Sequence, residues 1–410
     1  MRLIRLFVIL LALACVPKYS HATEVNLTSS TQYLWYQDFL ANKSNDQGDV
    51  AEYVRLNVTK LDKDGNISIY GYGRGTQQVT NDVYAPGGGD AQGRLYYLYI
   101  DYRNVVKDHL DLRAGRTYVN ATAVSGTLDG LYLNLKNVGG LIGATAFGGR
   151  EVIFQNKEEI GNGNLMNGAS IYLDTQKNTH VELSYGNKFR DGRIARETFA
   201  LDFSSIPQEM VKVYGTVKYD NISDELNELL FGVKLVPIKD LTLNVEYEQT
   251  RPTFDNNSIY RLFDVDRYQE ISAAVEYQII KNYKIKLKYA KEFFGEDTEA
   301  NVYDIGLLAN PIKDLTLNLS YEIRNGYTGQ LSGFRVNAGY DINKATKIQA
   351  GIDYDDFTRD DSRAGIAKKY WGALSYQFNK MVGVTGRGEY DRNYESGDSY
   401  QGFVALNVKY

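Results

Sequence analysis

The chain has 410 residues with 46 basic and 51 acidic side chains, and its net charge of −5 argues against nucleic acid as a partner. Mean hydropathy is −0.39, and no apolar run reaches the ~20 residues that a membrane-spanning helix needs. With six prolines and no linker-like tract, the sequence predicts one structural unit, although it is long enough for two or three ordinary domains.

The N-terminus has the pattern of a secretory signal. Two arginines precede an apolar stretch at residues 6–16, which is too short to span a bilayer, and small residues favour cleavage after Ala22. Cys15 raises the alternative of a lipoprotein, but the residues before it fit a lipidation motif poorly. We expect a signal peptide at residues 1–22 and a mature chain at 23–410 without cysteine, and hence without a disulfide or thiolate metal site.

Alternation of apolar and polar residues predicts up to 22 strands, from a weakly patterned first strand at residues 25–36 to a last one at residues 400–410. Ten of the predicted connections are tight turns, and nine of these contain a lysine. The others are longer and richer in Gly, Asn and Asp, and the longest lie at residues 37–48, 79–91, 150–164 and 251–266. This asymmetry is typical of a membrane barrel with short periplasmic turns and longer extracellular loops.

An octapeptide, Pro-Ile-Lys-Asp-Leu-Thr-Leu-Asn, occurs at residues 237–244 and again at residues 311–318. Each copy opens with turn residues and then alternates, so that Leu315, Leu317 and Leu319 share one face of the second copy. A period of two predicts extended strands with one apolar and one polar face. The two copies start 74 residues apart, which leaves room for four such strands.

A β-propeller or another soluble β-repeat is the alternative fold. It would bury both faces of most strands, yet the polar face here stays charged strand after strand, and buried charges without partners are costly. We therefore favour an all-β fold, a transmembrane antiparallel up-and-down β-barrel of about 22 strands (20–22) with no plug domain.

On strands that run away from the lysine turns, the tyrosines of the apolar face lie near the far end of the strand. On strands that return to the turns, they lie near the turns. Such placement predicts two rings of aromatic side chains at the two membrane interfaces. The predicted aromatic girdle comprises Tyr247, Tyr277, Tyr289, Tyr321, Tyr340, Tyr354, Tyr376 and Tyr390.

The C-terminus alternates up to an aromatic last residue, through Gly402, Val404, Leu406, Val408 and Tyr410. This pattern resembles the C-terminal assembly signal of bacterial outer-membrane β-barrel proteins. With the secretory signal, the resemblance to porin-like proteins covers the whole chain as architecture. It implies an integral protein of the outer membrane, surrounded by lipid and inserted by the barrel assembly machinery.

No catalytic constellation is apparent. His109 and His180 lie beside tight turns, where we expect solvated strand ends, and the glycines at residues 87–89 lack the rest of a phosphate-binding motif. Asp355 and Asp356, with the aspartates at 360–361, could bind a divalent cation, but a solvated acidic loop is favoured. We expect no cofactor, no metal site and no enzymatic reaction.

The polar face predicts the wall of the lumen. Charges of both signs alternate along it, which favours pairing between adjacent strands over a lysine patch selective for anions. The predicted lumen-lining residues are Arg55, Asp101, Arg113, Glu246, Glu248, Glu276, Lys284, Lys286, Lys288, Asp304, Glu322, Arg335, Lys347, Asp353, Arg387 and Glu389.

A barrel of this strand number has a backbone cylinder roughly 40–45 Å across, and no predicted loop is long enough to plug it. The sequence predicts a porin-like channel for passive passage of small hydrophilic solutes. The alternative is a sleeve around another protein, because the wide bore and short loops resemble the barrel component of porin–cytochrome complexes, which house a multihaem cytochrome.

Overall fold

A computed structural model describes residues 23–38, 45–79, 91–154, 158–159, 164–175, 178–254, 266–296, 298–326, 329–359, 364–393 and 397–410. The predicted signal peptide and most of the longest predicted connections lie outside these ranges.

The described residues form 23 strands and contain no helix, so they include no helix that is long and apolar enough to cross a membrane. The strands are β1 (Glu24–Asp38), β2 (Asn45–Thr59), β3 (Ile67–Gln78), β4 (Gln92–Val106), β5 (Leu110–Asn120), β6 (Ser125–Val138), β7 (Ile142–Phe154), β8 (Glu158–Glu159), β9 (Leu165–Asp174), β10 (Thr179–Arg190), β11 (Arg193–Gln208), β12 (Val211–Asp220), β13 (Glu225–Ile238), β14 (Leu241–Thr250), β15 (Tyr268–Ile280), β16 (Tyr283–Phe294), β17 (Thr298–Ala309), β18 (Leu315–Gly326), β19 (Gly329–Asp341), β20 (Thr346–Thr358), β21 (Ala364–Gln377), β22 (Val382–Asn393) and β23 (Gly397–Lys409).

Twenty-two of these strands close an antiparallel barrel. Each pairs with its neighbours in the chain, β7 pairs directly with β9, and β23 pairs with β1 to complete the ring. The two-residue β8 adds only a short ladder beside the end of β7. The predicted all-β fold, the strand number and the absence of a plug domain from the described residues are thereby confirmed.

The two faces of the sheet differ as the alternation predicts. On the outer face large apolar side chains stay open to the surroundings, and Leu131, Ile171 and Leu183 are each more than half exposed. The opposite face carries charged side chains that pair with one another, as Lys288 does with Glu270, and closure of the ring places this face inside. An exposed apolar belt around a polar interior is stable in lipid, because the closed ring also pairs the backbone groups of its strands. The chain is therefore an integral membrane barrel.

The connections at the two ends of the barrel differ less in length than the sequence predicts. At one end, called here the turn end, β1 and β23 have their outer termini, and the chain makes nine of the expected tight turns within the described residues. The tenth, between β9 and β10, includes residues outside the described ranges. At the opposite end, called the loop end, β10 and β11 are joined by Asp191 and Gly192 alone. Their φ angles of 50° and 76° are those of a two-residue hairpin turn, so the prediction of a longer connection there is wrong.

Candidate functional site: the lumen wall and an infolded hairpin

The wall formed by β15 to β18 is lined by paired charges. Lys284 Nζ lies 3.1 Å from Glu276 Oε2, and Lys288 Nζ lies 2.9 Å from Glu270 Oε1 on the same neighbouring strand. The register then continues the row from Lys288 to Asp304. Because these side chains remain partly exposed, each pair contributes little to the stability of the barrel. Its main effect is on the electrostatic field in the lumen.

A second group of charges lies on β21 and β22. Glu389 contacts Lys369 Nζ at 2.9 Å and Arg387 Nη2 at 2.7 Å, while its own side chain is almost fully buried. The guanidinium of Arg387 also lies 4.4 Å from the centre of the Trp371 ring. Glu389 thus pairs with two cations at this part of the wall, and Asp391, 3.6 Å from Lys369 Nζ, adds a second carboxylate.

Aromatic rings interrupt the charges on β2 to β5. Arg55 lies over the ring of Tyr72 at 5.0 Å, and Arg113 lies over Tyr99 at 4.8 Å. Asp101 faces Arg113 across the strand pair, with 3.6 Å between the carboxylate and the guanidinium. Cation–π contacts replace part of the ion pairing on this side.

The remaining residues predicted to line the lumen lie on the same face. Tyr214 donates a hydrogen bond to Glu246, Arg335 faces Glu322 at 3.8 Å, and Lys347 faces Asp341 at 3.7 Å. Three others are placed there by register alone: Lys286 opposite Glu276, Glu248 opposite Glu270, and Asp353 opposite Arg335.

The tyrosines of the predicted girdle lie on the outer face. Near the loop end they form cross-strand aromatic pairs, such as Tyr289 with Tyr303 at 5.1 Å and Tyr390 with Tyr400 at 5.0 Å between ring centres. Near the turn end, Tyr376 contacts Phe378 edge to face at 4.8 Å. The other predicted members face outward near one end or the other: Tyr247, Tyr321 and Tyr354 near the loop end, and Tyr277 and Tyr340 near the turn end.

One segment leaves the wall and enters the lumen. Residues 117–126, called here the infolded hairpin, comprise the end of β5, a tight turn at 121–124 and the start of β6. Its tip crosses β7 and β9 and reaches β10, where Ser184 Oγ accepts a hydrogen bond from Ala123 N at 2.9 Å. Glu182 Oε1 accepts two more, from the backbone and the hydroxyl of Thr122.

Apolar packing holds the infolded hairpin against the wall. Val119, Val124 and Leu128 form a buried cluster with Phe147 of β7 and Met166 of β9. Leu128 and Met166 have no exposed surface at all. Complete burial of such side chains stabilises by about 1.5–3 kcal/mol each, which exceeds the contribution of the exposed ion pairs elsewhere on the wall.

Glycines create the bend at the base of the hairpin. Gly115, Gly130 and Gly149 are cross-strand partners in one row over β5, β6 and β7. Gly115 has a φ of +122°, and a Cβ on Gly130 would lie 2.1 Å from the carbonyl oxygen of Gly148. Only residues without a side chain permit the strands to approach this closely.

The infolded hairpin was not predicted, because its contacts join residues about 60 positions apart. Both histidines lie beside tight turns, as the sequence predicts. His109 lies 3.3 Å from the carbonyl oxygen of Lys136, and His180, the second residue of β10, also lines the lumen recess beside Tyr172.

The other candidate sites add no chemistry to the wall. The glycines at 87–89 and the aspartates at 360–361 lie outside the described residues, so the predicted acidic loop is only partly visible. Within the described ranges, no group of three or more His, Cys, Asp and Glu side chains is arranged to hold a metal ion.

The C-terminal strand completes the ring. The alternating residues Gly402, Val404, Leu406 and Val408 lie on β23, and the backbone N–H of Tyr410 donates to the carbonyl of Leu27 at 2.8 Å. The segment that resembles an assembly signal is therefore the strand that joins β1.

No protein-family model matches the chain, and no curated protein matches its sequence. Among solved structures, the chain is similar to a BenF-like porin from Pseudomonas fluorescens Pf-5, with a TM-score of 0.50 at 9% identity over 95% of this chain and 98% of that one. The fold is that of a porin. The chain also resembles the outer membrane protein OpdK of Pseudomonas aeruginosa (TM-score 0.49, 10% identity, 94% and 98% of the two chains) and OccAB1 of Acinetobacter baumannii (0.47, 11%, 95% and 96%). With this fold and its apolar belt, the protein is an integral membrane barrel.

Proposed function

We propose that this protein is a passive channel for small hydrophilic solutes across the outer membrane, and that it catalyses no reaction. A closed ring with an apolar belt and a charged interior provides a water-filled path through lipid. The charged wall of β15 to β18 and of β21 to β22 keeps that path hydrated.

The observation that carries this proposal is the infolded hairpin. It spans only the sector from β5 to β10, which is five of the 22 barrel strands, and three strand spacings of ~4.8 Å separate β6 from β10. A cylinder of this strand number is roughly 40–45 Å across. The hairpin therefore narrows the bore without filling it, which suits selective passage of small solutes.

The alternative function, a sleeve around a multihaem cytochrome, stays an expectation from the sequence alone. None of the contacts among the described residues gives it specific support. The barrel assembly machinery likewise stays an expected partner, based on the C-terminal pattern that ends at Tyr410.

Channel activity is tested with the purified full-length protein in planar lipid bilayers. We expect stable steps of current, and neutral polymers of graded size should reduce the current only below a cut-off set by the narrowed bore. Heat-unfolded protein at the same detergent concentration is the control. Absence of current steps above this control would contradict the proposal.

A further inference from the structure

A recess of about 190 Å³ opens into the lumen under the infolded hairpin, between its turn and the wall of β6 to β10. At about 30 Å³ for each water molecule in the liquid, this is the space of roughly six waters. Such a volume suits a solute with a single small ring and is too small for a peptide or an oligosaccharide.

The recess is bounded by flat aromatic faces. The ring of Tyr172 covers Gly143 of the adjacent strand so closely that a Cβ there would lie 2.1 Å from the ring, and the His180 ring lies beside it at 6.1 Å between ring centres. Tyr132 and Phe147 are stacked at 6.5 Å between ring centres on the neighbouring part of the wall. These rings are held in place and offer faces on which an apolar ring surface can lie.

Hydrogen-bonding groups surround these faces. The hydroxyl of Tyr172 donates to Asn134 at 2.9 Å, and the hydroxyls of Thr145 and Ser170 are 2.8 Å apart. Glu182 uses Oε1 to hold the hairpin through Thr122, which leaves Oε2 without a hydrogen bond among the described residues. The recess therefore presents both acceptors and hydroxyl donors to an occupant.

The charges around the recess favour a neutral occupant. No lysine or arginine lines the recess, and the carboxylate of Glu182 disfavours an anion. The guanidinium of Arg113, which is paired with Asp101, lies 5.4 Å from the centre of the Tyr132 ring and weakly disfavours a cation at that ring. A neutral solute meets neither repulsion.

We infer that this recess is a binding subsite for a neutral polyhydroxylated ring of monosaccharide size. The apolar face of such a ring stacks on the face of Tyr172 that is turned away from Gly143, and its hydroxyls donate to Glu182 and exchange hydrogen bonds with the amide and hydroxyl groups around it. The inference rests on the proposed channel function, because the solute reaches the subsite through the lumen.

The test measures block of single-channel current by D-glucose in planar bilayers, with gluconate and glucosamine as charged compounds of the same size. We expect glucose to interrupt the current at lower concentration than either charged analogue. Tyr172→Ala should raise the half-blocking glucose concentration at least tenfold. Glu182→Gln, which keeps the shape, should raise it several-fold.

Tyr214→Ala is the matched control. Tyr214 covers Gly232 as Tyr172 covers Gly143, but it lies on a different part of the wall, where its hydroxyl donates to Glu246 and lies 3.1 Å from Asn244 Oδ1. Its replacement should leave the glucose block unchanged.

Three results would overturn the subsite while leaving the channel intact: normal current without glucose block, stronger block by gluconate or glucosamine, and equal sensitivity of the Tyr172 and Tyr214 variants. Absence of any current would instead overturn the channel function and the subsite together.

Discussion

The lumen face differs between two sectors of the barrel. From β5 to β10 it carries an apolar cluster among polar side chains such as Glu182, and the chain packs on its own wall through Val124, Phe147 and Met166. From β14 to β23 it carries many charged side chains, several of them in ion pairs such as Lys284 with Glu276. The barrel pattern determines only which residues face inward, whereas the chemistry of those residues determines whether a segment of the chain can pack on the lumen wall.

The largest effect is expected from removing the bend at the base of the infolded hairpin. In Gly130→Val the new side chain meets the carbonyl of Gly148, and overpacking in a tight site costs at least about 1–3 kcal/mol. We expect the infolded hairpin to leave the lumen and single-channel conductance to rise about twofold as the constriction opens. Gly372→Val is the control, because a Cβ there meets no atom within 4 Å. An unchanged conductance in a folded Gly130 variant would contradict the role of the glycine row.

A smaller effect is expected from loosening the tip of the hairpin. Ser184→Ala removes the acceptor for the buried N–H of Ala123, and an unsatisfied buried donor costs about 1–3 kcal/mol. The open current should fluctuate more, as the tip detaches and returns. Ser375→Ala removes a hydroxyl paired with Thr385 on the charged sector and should leave the current steady. Equal noise in both variants would argue that the tip is not anchored at β10.

On the charged sector we expect a change in selectivity rather than in conductance. Glu389→Gln leaves Lys369 and Arg387 without their shared carboxylate, so the reversal potential in a salt gradient should shift toward anion preference. The shift should shrink at ~1 M salt, where the screening length falls to about 3 Å. Asp398→Asn, which affects an exposed pair with Arg392 near the loop end, is the control. A shift that does not depend on salt would count against an electrostatic cause.

The smallest effect concerns the outer face, which the two sectors share. Tyr289→Ala removes the aromatic contact with Tyr303, and such pairs contribute about 0.5–1.5 kcal/mol beyond their buried area. We expect a modest drop in the urea concentration at which the barrel unfolds from lipid vesicles, with conductance unchanged. Tyr289→Phe keeps the ring and should lose much less. Equal losses in the two variants would show that the hydroxyl, which donates to Asn301, matters more than the ring.

The sequence predicts the charged sector far better than the sector from β5 to β10 that contains the infolded hairpin, for a physical reason. A period of two is local, so β14 and β18 can be identified from ten residues each. The row of Gly115, Gly130 and Gly149 exists only after β5, β6 and β7 have paired, and no local pattern reveals it. The short turn at Asp191 and Gly192 could have been predicted, because Asp-Gly is a strong hairpin signal.

The junction between β1 and β23 has a consequence for folding order. Its partners, such as Thr28 and Lys409, are separated by nearly the whole chain, whereas every other seam of the ring joins strands close together in sequence. Contacts between distant residues form slowly because the intervening chain must first be ordered. Until that last junction forms, two unpaired edges remain available to any other extended chain. An error in the strand pairing of any one hairpin would therefore leave the junction between β1 and β23 unpaired, far from the hairpin itself.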